Sequence, residues 1–356
     1  MRPPEVVDTP RDAEELELPP LVVREPLESF LDAQGIGTGR IEVERIGEGH
    51  SNITFLVTRA GARVVLRRPP RPPLPPSAHD VLREARLLSA LQATPVRVPR
   101  MLATCDDDSV LGVPFYLMEE MHGSVITTEI PAALDNPAER RRICEELVDR
   151  LIEIHSVDWQ ACGLEGYGKP TGYLERQLRR FNGLWEHNKT RELPVVEEVG
   201  AWLAANMPDS PPSTIVHGDY RLGNLMVGNE APARVVAVFD WELSTIGDPL
   251  ADLGYLTATW AQAGDPEDIA YASLSMATRR EGFMKRDELI TRYEQLSGRS
   301  MAAVNWYQAL AIWRAAVFME GNFKRFSMGN SDDPYLALFD TGVPALAEKA
   351  REIARS

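Results

Sequence analysis

Three side chains with oxygen donors stand within a short stretch of the sequence. Asp219 lies in a polar segment between two apolar runs, and Asn224 follows it five residues later. Asp240 follows another apolar run, Val235 to Phe239, and lies 21 residues after Asp219. One β-hairpin of that length would return Asp240 to the side of the polar segment. Carboxylate and amide oxygens are the ligands that a hard cation such as Mg²⁺ prefers.

This set of groups meets the requirements of phosphoryl transfer. One carboxylate must orient the acceptor hydroxyl and take its proton, and Asp219 is predicted to be this catalytic residue. A second carboxylate and an amide oxygen must hold Mg²⁺ against the phosphates. We expect Asp240 and Asn224 to be these metal ligands.

Further motifs surround these residues. They are His217-Gly218-Asp219-x-x-x-x-Asn224, Asp240-Trp241-Glu242 and Gly247-Asp248-Pro249-Leu250-Ala251-Asp252. From about Ile41 to at least Tyr255, the sequence resembles the aminoglycoside phosphotransferase family. The segments at 49–52, 65–70, 167–170 and 173–178 more specifically resemble the kinase domain of animal acyl-CoA dehydrogenase fusion proteins. The resemblance implies a protein-kinase-like fold that uses ATP and Mg²⁺.

A glycine-rich turn between two β-type runs is a candidate phosphate-binding element. Gly47, Gly49, Ser51 and Asn52 lie in it. Glycines allow backbone N–H groups to approach phosphate oxygens. Without the downstream motifs, a purely structural hairpin turn would be an equally good interpretation.

Kinases of this type use a Lys on the third strand, which grips the phosphates and pairs with a Glu on the next helix. Here the third β-type run ends Val65-Leu66-Arg67-Arg68, so Arg stands where Lys is expected. We expect Arg67 to bind the phosphates with Glu84 as its partner. Arg keeps the charge but is not equivalent to Lys. A solvated Arg at a strand end is the alternative.

The segment Pro114 to Gly123 resembles the strand and hinge that join the two lobes of a kinase. The resemblance implies that adenine would bind backbone groups around Glu119 and Met121. An ordinary edge strand and turn is the alternative for this segment.

Several polar residues around the main motif have supporting roles in this interpretation. His217 is expected to hold the loop rather than to act in catalysis. Asp248 and Asp252 are expected to brace the catalytic loop by accepting backbone N–H bonds, since buried carboxylates need partners; extra metal ligation is the alternative. Glu242 is a weaker candidate for a group near the metal.

The sequence patterns predict a β-rich first third and a mostly helical remainder. Residues 1–24, rich in Pro and acidic residues, are predicted to form a flexible tail. Residues 25–121 are predicted to form a nucleotide-binding N-lobe, and residues 122–356 a C-lobe with the catalytic loop, the metal and the acceptor site. The fold class is therefore α+β, a bilobal protein-kinase-like fold.

Composition restricts the partners. The 38 Lys and Arg residues against 53 Asp and Glu residues give a net charge of −15, which disfavours nucleic acid and anionic membranes. No apolar run reaches the roughly 18 residues of a membrane span. Three scattered cysteines without a C-x-x-C motif favour a reducing, cytoplasmic setting. A monomer or a homodimer is expected.

The only indication of the acceptor is a cluster of basic residues in an otherwise acidic chain. Residues 169–191 carry six basic side chains, and Arg176, Arg179 and Arg180 are spaced to share one helix face. Such a face suits an anionic ligand such as a CoA phosphate or a carboxylate, and a solvated face is the alternative. Together with the fusion-protein resemblance, it favours a hydroxy acid or hydroxyacyl-CoA as the acceptor.

The sequence therefore predicts an ATP- and Mg²⁺-dependent small-molecule O-phosphotransferase with a hydroxyl acceptor. Three other interpretations stay open at this point. An aminoglycoside O-phosphotransferase would suit the acidic composition. A pseudokinase would explain the Arg at the Lys position, although Asp219, Asn224 and Asp240 are all present. A protein kinase is disfavoured, because Gly247-Asp248-Pro249 follows Asp240 too closely for a peptide-docking segment.

Overall fold

A computed structural model describes residues 4–47, 52–71, 79–265, 272–329, 331 and 333–356. The chain divides into two compact units, Met1–His122 and Gly123–Ser356. The division lies one residue from the predicted lobe boundary. The first unit is rich in β-strands and the second is mostly helical, so the predicted α+β class is confirmed.

The first unit is built on a five-stranded antiparallel sheet with the strand order β3-β4-β5-β7-β6. Its elements are β1 (Val6–Val7), α1 (Pro10–Glu14), β2 (Val22–Val23), α2 (Arg24–Ala33), β3 (Thr38–Ile46), β4 (Ile53–Ala60), β5 (Ala62–Arg68), α3 (Val81–Leu91), β6 (Met101–Cys105), α4 (Asp108–Leu111) and β7 (Phe115–Glu119). In register, Leu66 of β5 lies between Phe55 and Leu117, and all three side chains are buried. Alternating apolar residues therefore give this sheet its buried face.

Residues 4–24 are part of the first unit, so the prediction of a flexible tail is wrong for these residues. β1 pairs with β2 in parallel. Leu21 and Val22 are at most 1% exposed and belong to the apolar core. The Arg68 guanidinium, whose burial lowers its pKa to about 10, donates to the carbonyl of Leu21. A few well-placed apolar residues outweigh the Pro-rich, acidic composition, because burying them offsets the entropy of ordering the segment.

The second unit consists mainly of helices with short strands between them. Its elements are β8 (Ser124–Val125), α5 (Pro137–His155), α6 (Tyr173–Asn188), α7 (Pro194–Ala205), β9 (Thr214–Val216), β10 (Leu225–Val227), β11 (Val235–Val238), β12 (Thr245–Gly247), α8 (Leu250–Thr259), α9 (Arg286–Ser297), α10 (Val304–Ser327) and α11 (Phe339–Arg355). Short 3-10 turns cover Ala132–Leu134, Leu222–Asn224, Trp241–Leu243, Ala272–Arg279 and Pro334–Leu338.

Helix α10 is the central packing element of the second unit. It packs against α6, α7, α8 and α11. Trp306 and Trp313 are buried and donate their indole N–H groups to the carbonyls of Leu203 and Val196 in α7. The aromatic side chains of this helix are thus part of the core of the second unit. None of the described helices combines the length and the apolar character needed to cross a lipid bilayer.

Candidate active site

Two small antiparallel sheets hold the polar loop that carries Asp219. The loop leaves β9, which pairs with β12, and enters β10, which pairs with β11 and β8. Leu225 of β10 lies opposite Val238 of β11, and the Phe239 N–H donates to the carbonyl of Asn224 at 2.8 Å. This pairing places Asp240, the residue after Phe239, beside the end of the loop. The predicted return of the hairpin is therefore confirmed.

Asp219 and Asn224 are in direct contact. The Asn224 Nδ2 donates to Oδ2 of Asp219 and to the Asp219 carbonyl, at 2.8 Å each. Arg221 Nε lies 3.6 Å from the same Oδ2. The Asp219 side chain keeps 21% of its surface exposed, so it is accessible to a substrate.

His217 holds the loop, as predicted. Its Nδ1 accepts a hydrogen bond from the Asp219 N–H at 3.3 Å, so its Nε2 carries the proton that is donated to the Phe239 carbonyl at 2.8 Å. The ring is fully buried and packs 4.6 Å from the Trp241 ring, centroid to centroid. Both ring nitrogens are engaged in structural bonds, and His217 ties the loop to the strand end before Asp240.

Asp252 braces the same loop from α8. Its carboxylate accepts the N–H groups of His217 and Gly218 at 2.7 and 2.8 Å. The buried His155 lies 3.2 Å away through Nε2, and Tyr293 donates to its other nitrogen. Burial lowers the pKa of His155 despite the adjacent carboxylate. The predicted bracing role of Asp252 is confirmed.

Asp248 differs from the expectation. Its carboxylate accepts from the Leu250 N–H at 2.9 Å and from the Tyr307 hydroxyl at 2.7 Å. It therefore binds the first N–H of α8 and the Tyr307 hydroxyl of α10, and it does not accept from the catalytic loop. Burial raises the pKa of Asp248. The prediction that both aspartates brace the loop is wrong for Asp248.

Asp240 has a backbone conformation that is uncommon for a residue with a side chain. Its φ is 64° and its ψ is 58°, in the left-handed region. Aspartate tolerates this region better than most residues, and such positions cluster at functional sites. The conformation is consistent with a carboxylate placed for binding rather than for packing.

The residues present fit a divalent cation. Asn224 is 6% exposed, and its Nδ2 is committed to Asp219. Its Oδ1 accepts no hydrogen bond from the described part of the chain, which leaves this oxygen available as a ligand. Among those described residues, no group of three or more His, Cys, Asp and Glu residues forms a separate metal site. Asn224 and Asp240 thus supply two hard donors, a set typical of Mg²⁺ held partly by phosphates and water.

In the first unit, Arg67 and Glu84 form the predicted pair. Arg67 Nε lies 3.0 Å from Glu84 Oε2, and the Glu84 side chain is 2% exposed. Glu84 is in the first turn of α3, whose N-cap Asp80 accepts from the Arg83 N–H. A buried carboxylate on a capped helix holds the guanidinium at the middle of the sheet.

The candidates around the glycine-rich turn are only partly described. Gly47 has a φ of 75°, and no atom lies within 4 Å of the Cβ position. Asn52 is buried, and its Oδ1 lies 3.2 Å from Nδ1 of His79. Gly49 and Ser51 lie outside the described residues.

The hinge candidates differ in what their backbone can bind. The Glu119 N–H donates to the Arg100 carbonyl at 2.9 Å, so it is already used. The Glu119 carboxylate accepts from the Arg100 N–H at 2.7 Å. Met121 follows the end of β7, outside the strand ladder. The Glu119 N–H is used in the sheet, whereas the Met121 N–H is not part of the strand pairing.

Sequence reasoning missed two residues that contact Asp219. Arg221 is one of them. Tyr255 of α8 is the other: burial raises its pKa, and the negative charge of Asp219 raises it further. Asp252 and Tyr255 are three residues apart on one helix, which is the signal that could have placed Tyr255 beside the loop.

The basic segment at 169–191 is largely paired. Arg191 binds Glu320 and Asp340, and Lys189 binds Glu186. The Arg176 guanidinium donates to backbone carbonyls at 169 and 171. The shared basic face therefore shrinks to two exposed arginines, Arg179 and Arg180.

Comparison with known proteins agrees with this geometry. The model of the phosphotransferase enzyme family matches residues 42–280. Acyl-CoA dehydrogenase family member 11 of Gallus gallus is 33% identical over 324 residues, which are 89% of this chain and 41% of that protein. The chain thus spans less than half of the length of this curated relative.

Solved structures extend the likeness to the fold. A Ralstonia eutropha protein described as a candidate aminoglycoside phosphotransferase is 34% identical, with a TM-score of 0.78 over 93% of this chain and 98% of that one. Spectinomycin phosphotransferase, solved with ADP and spectinomycin, is 10% identical with a TM-score of 0.60 over 93% of this chain and 99% of that one, and it shares the fold alone. With its catalytic loop, its strand-end aspartate and a family match over most of its length, the chain belongs to the phosphotransferase enzyme family.

Proposed function

We propose that the protein is an ATP- and Mg²⁺-dependent small-molecule O-phosphotransferase whose acceptor is a hydroxy acid or a hydroxyacyl-CoA. The observation that carries the proposal is the bonding of Asn224. Its Nδ2 orients Asp219 while its Oδ1 is left available beside the strand end that carries Asp240. A catalytic carboxylate and a metal site are thereby coupled through one side chain.

Asp219 acts on the acceptor hydroxyl. Its carboxylate accepts the proton as the hydroxyl oxygen forms a bond to the γ-phosphorus of ATP, and the bond to the bridging oxygen breaks so that ADP leaves with the electron pair. Asn224 and Asp240 would hold Mg²⁺, which when bound would neutralise charge on the phosphates. Arg221, beside Asp219, offers a positive charge to the transferred group.

In the first unit, Arg67 is proposed to bind phosphate oxygens. Glu84 forms an ion pair with its guanidinium, and the planar fork of a guanidinium matches the geometry of phosphate oxygens. Met121 is proposed to contact the adenine through its backbone. These roles are supported by the family membership and by the Arg67–Glu84 contact.

A protein substrate is disfavoured by the path of the chain after Asp240. A 3-10 turn, Trp241–Leu243, leads into β12, and α8 begins at Leu250. All of these residues are committed to secondary structure or to short connections. A small molecule needs no docking segment of this kind.

The test is phosphate transfer itself. The purified chain is incubated with Mg²⁺ and ATP labelled at the γ-phosphate, in the presence of a metabolite pool or a protein extract, and products are read by mass spectrometry. We expect label on small hydroxyl compounds and none on protein. Label on protein alone, or ATP binding without transfer to any acceptor, would reject the proposed function.

A further inference from the structure

One half-buried guanidinium in the helical unit has no anionic partner. Arg314 lies in the middle of α10. Its Nε is shielded from solvent and donates to no acceptor, while its guanidinium forms a hydrogen bond with the neutral Tyr173 hydroxyl. Its Cζ lies 4.8 Å from the centroid of the Phe181 ring, and within the described ranges no carboxylate comes within the 4.0 Å of a salt bridge.

The lack of a carboxylate partner distinguishes Arg314 from Arg191 and Lys189 in this acidic chain. The sequence has 53 acidic against 38 basic residues. Arg191 and Lys189, in the neighbouring segment, each contact two carboxylates. The guanidinium charge of Arg314 is thus not balanced by a carboxylate of the described chain, so Arg314 can bind an anionic group that is not part of the protein.

Helix α8 lies in contact both with the catalytic loop and with α10, the helix that carries Arg314. Asp252 of α8 binds the Gly218 N–H next to Asp219. Tyr307 of α10 packs against Gly254 of α8, so closely that a Cβ on Gly254 would lie 2.5 Å from the Tyr307 Cβ. Arg314 follows Tyr307 by two helical turns, so it is on the same side of α10, about 10 Å further along the axis.

The Asp219 carboxylate and the Arg314 guanidinium both affect the pKa of the Tyr255 hydroxyl. Burial raises the pKa of Tyr255, the Asp219 carboxylate raises it further, and the Arg314 guanidinium acts in the opposite direction. Arg314 acts in the same direction on Tyr173, whose pKa is also raised by burial. The Asp219 carboxylate and the Arg314 guanidinium therefore both act on the pKa of Tyr255, in opposite directions.

We propose that Arg314 binds the free carboxylate of the acceptor while Asp219 receives its hydroxyl. The inference rests on the proposed function and narrows it to a compact hydroxy acid. Phe181 and Tyr173 offer ring surface for the carbon chain between the two polar groups. A polycationic aminoglycoside is disfavoured, because its ammonium groups would face the guanidinium.

Binding and turnover are compared for acids that carry a charge and for esters that lack it. The probes are 3-hydroxybutyrate and its straight-chain homologues, their methyl esters and their CoA thioesters. Binding is measured by calorimetry with ADP and Mg²⁺ present, and turnover by ATP consumption. We expect the wild type to bind one of the acids roughly tenfold or more tightly than its ester.

Two substitutions and one control isolate the guanidinium. Arg314→Gln is expected to weaken acid binding roughly 10- to 100-fold and to leave ester binding unchanged, the effect of losing one charge-assisted hydrogen-bonded contact. Arg314→Lys should retain part of the preference. Arg142→Gln removes an exposed arginine of α5 that has no carboxylate partner among the described residues. This control should change the affinity for neither the acid nor the ester.

The outcomes separate this inference from the proposed function. Equal binding of acid and ester by the wild type, or an unchanged preference in Arg314→Gln, would overturn the role of Arg314. Phosphorylation of CoA thioesters with equal efficiency by the wild type and Arg314→Gln would also overturn it, yet would support the proposed function. Acid binding that depends on Arg314 without any phosphate transfer would support this site and reject the proposed reaction.

Discussion

Asn224 divides its side chain between two tasks. Its amide N–H groups are both spent on Asp219, one on the carboxylate and one on the carbonyl. The amide oxygen takes no part in these bonds, which is the basis for proposing it as a metal ligand. Neither Asp nor Gln would reproduce this division, since Asp lacks the donors and Gln is longer by one methylene group.

Asp219 and Asp240 should respond differently to the same substitution. Asp219→Asn removes the proposed proton acceptor but keeps the shape of the loop, so we expect kcat to fall by about 10²–10⁴-fold with nucleotide affinity nearly unchanged. Asp240→Asn removes the charge of the proposed metal ligand and should abolish the Mg²⁺-dependent part of nucleotide binding. Asn tolerates the left-handed backbone at 240, so folding should be little affected.

The two readouts are kcat for acceptor turnover and nucleotide titration with and without Mg²⁺. The substitutions serve as controls for each other. If Asp219→Asn loses nucleotide binding, or if Asp240→Asn titrates with Mg²⁺ as the wild type does, the roles assigned to these two residues are wrong.

At the scale of elements, glycines fix the strands around the catalytic loop. A Cβ on Gly247 of β12 would lie 2.4 Å from the ring of Tyr173. A Cβ on Gly168 would lie 2.5 Å from the backbone N of Ile246. The Tyr167 hydroxyl lies 2.6 Å from the Ser244 hydroxyl. The motifs at 167–170 and 173–178 therefore pack against β12, which pairs with the strand that leads into the loop.

Gly218, directly before Asp219, should not accept a side chain. Its φ is 90°, and a Cβ would lie 2.7 Å from the Leu243 carbonyl oxygen. Gly264 has nearly the same φ, 92°, with no atom within 4 Å of its Cβ position. Gly264→Ala should cost only the strain of the left-handed backbone, about 1–2 kcal/mol of unfolding free energy. Gly218→Ala should cost more and should also lower kcat, because Asp219 is displaced.

Urea denaturation and acceptor turnover measure the two effects. The difference between the variants reports the close packing against Leu243 separately from the backbone strain. Equal losses of stability, together with unchanged kcat in Gly218→Ala, would show that the loop adjusts to a side chain at this position.

At the scale of the whole molecule, the N-terminal residues belong to the first unit. Leu21 is 1% exposed, whereas Leu18, three residues earlier, is 48% exposed. Leu21→Ala should lower the unfolding free energy by about 2–5 kcal/mol, because it leaves a cavity in the core. Leu18→Ala should change it by roughly 0.5 kcal/mol or less.

The positions of the tryptophans allow a loss of stability in the first unit to be distinguished from one in the second. All 7 Trp residues lie between 159 and 313, in the second unit. Circular dichroism should therefore show an earlier transition in Leu21→Ala than Trp fluorescence does. A variant whose two signals both match the wild type would mean that the N-terminal residues do not stabilise the first unit.

Stability should also depend on pH through His155. Burial lowers the pKa of His155 below its ordinary value of 6.5, so below that pH the unfolded chain binds a proton that the folded chain does not. The unfolding free energy should thus decrease as the pH falls from about 6.5 toward the folded pKa. His155→Gln should flatten this slope.

The measurement is urea denaturation followed by Trp fluorescence between neutral and mildly acidic pH. His187, an exposed histidine of α6, provides the control as His187→Gln. An undiminished slope in His155→Gln would assign the pH dependence to other groups.

The sequence by itself determined the fold class, most of the strands and helices, and the group formed by Asp219, Asn224 and Asp240. These inferences depend on residue types at short spacings, where one hairpin or one helical turn limits the geometry. It also determined the Arg67–Glu84 pair, because opposite charges on adjacent elements of a known arrangement have few other partners.

The tertiary structure alone decided which of several similar residues does which task. Asp248 and Asp252 are four residues apart on or beside one helix, yet one binds α10 and the other binds the catalytic loop. Leu21 is buried and Leu18 is not, and Arg314 has no carboxylate partner among the described residues while Arg191 contacts two. These differences arise from contacts between residues distant in the chain, and burial and ion pairing depend on what lies opposite in space rather than on neighbours in sequence.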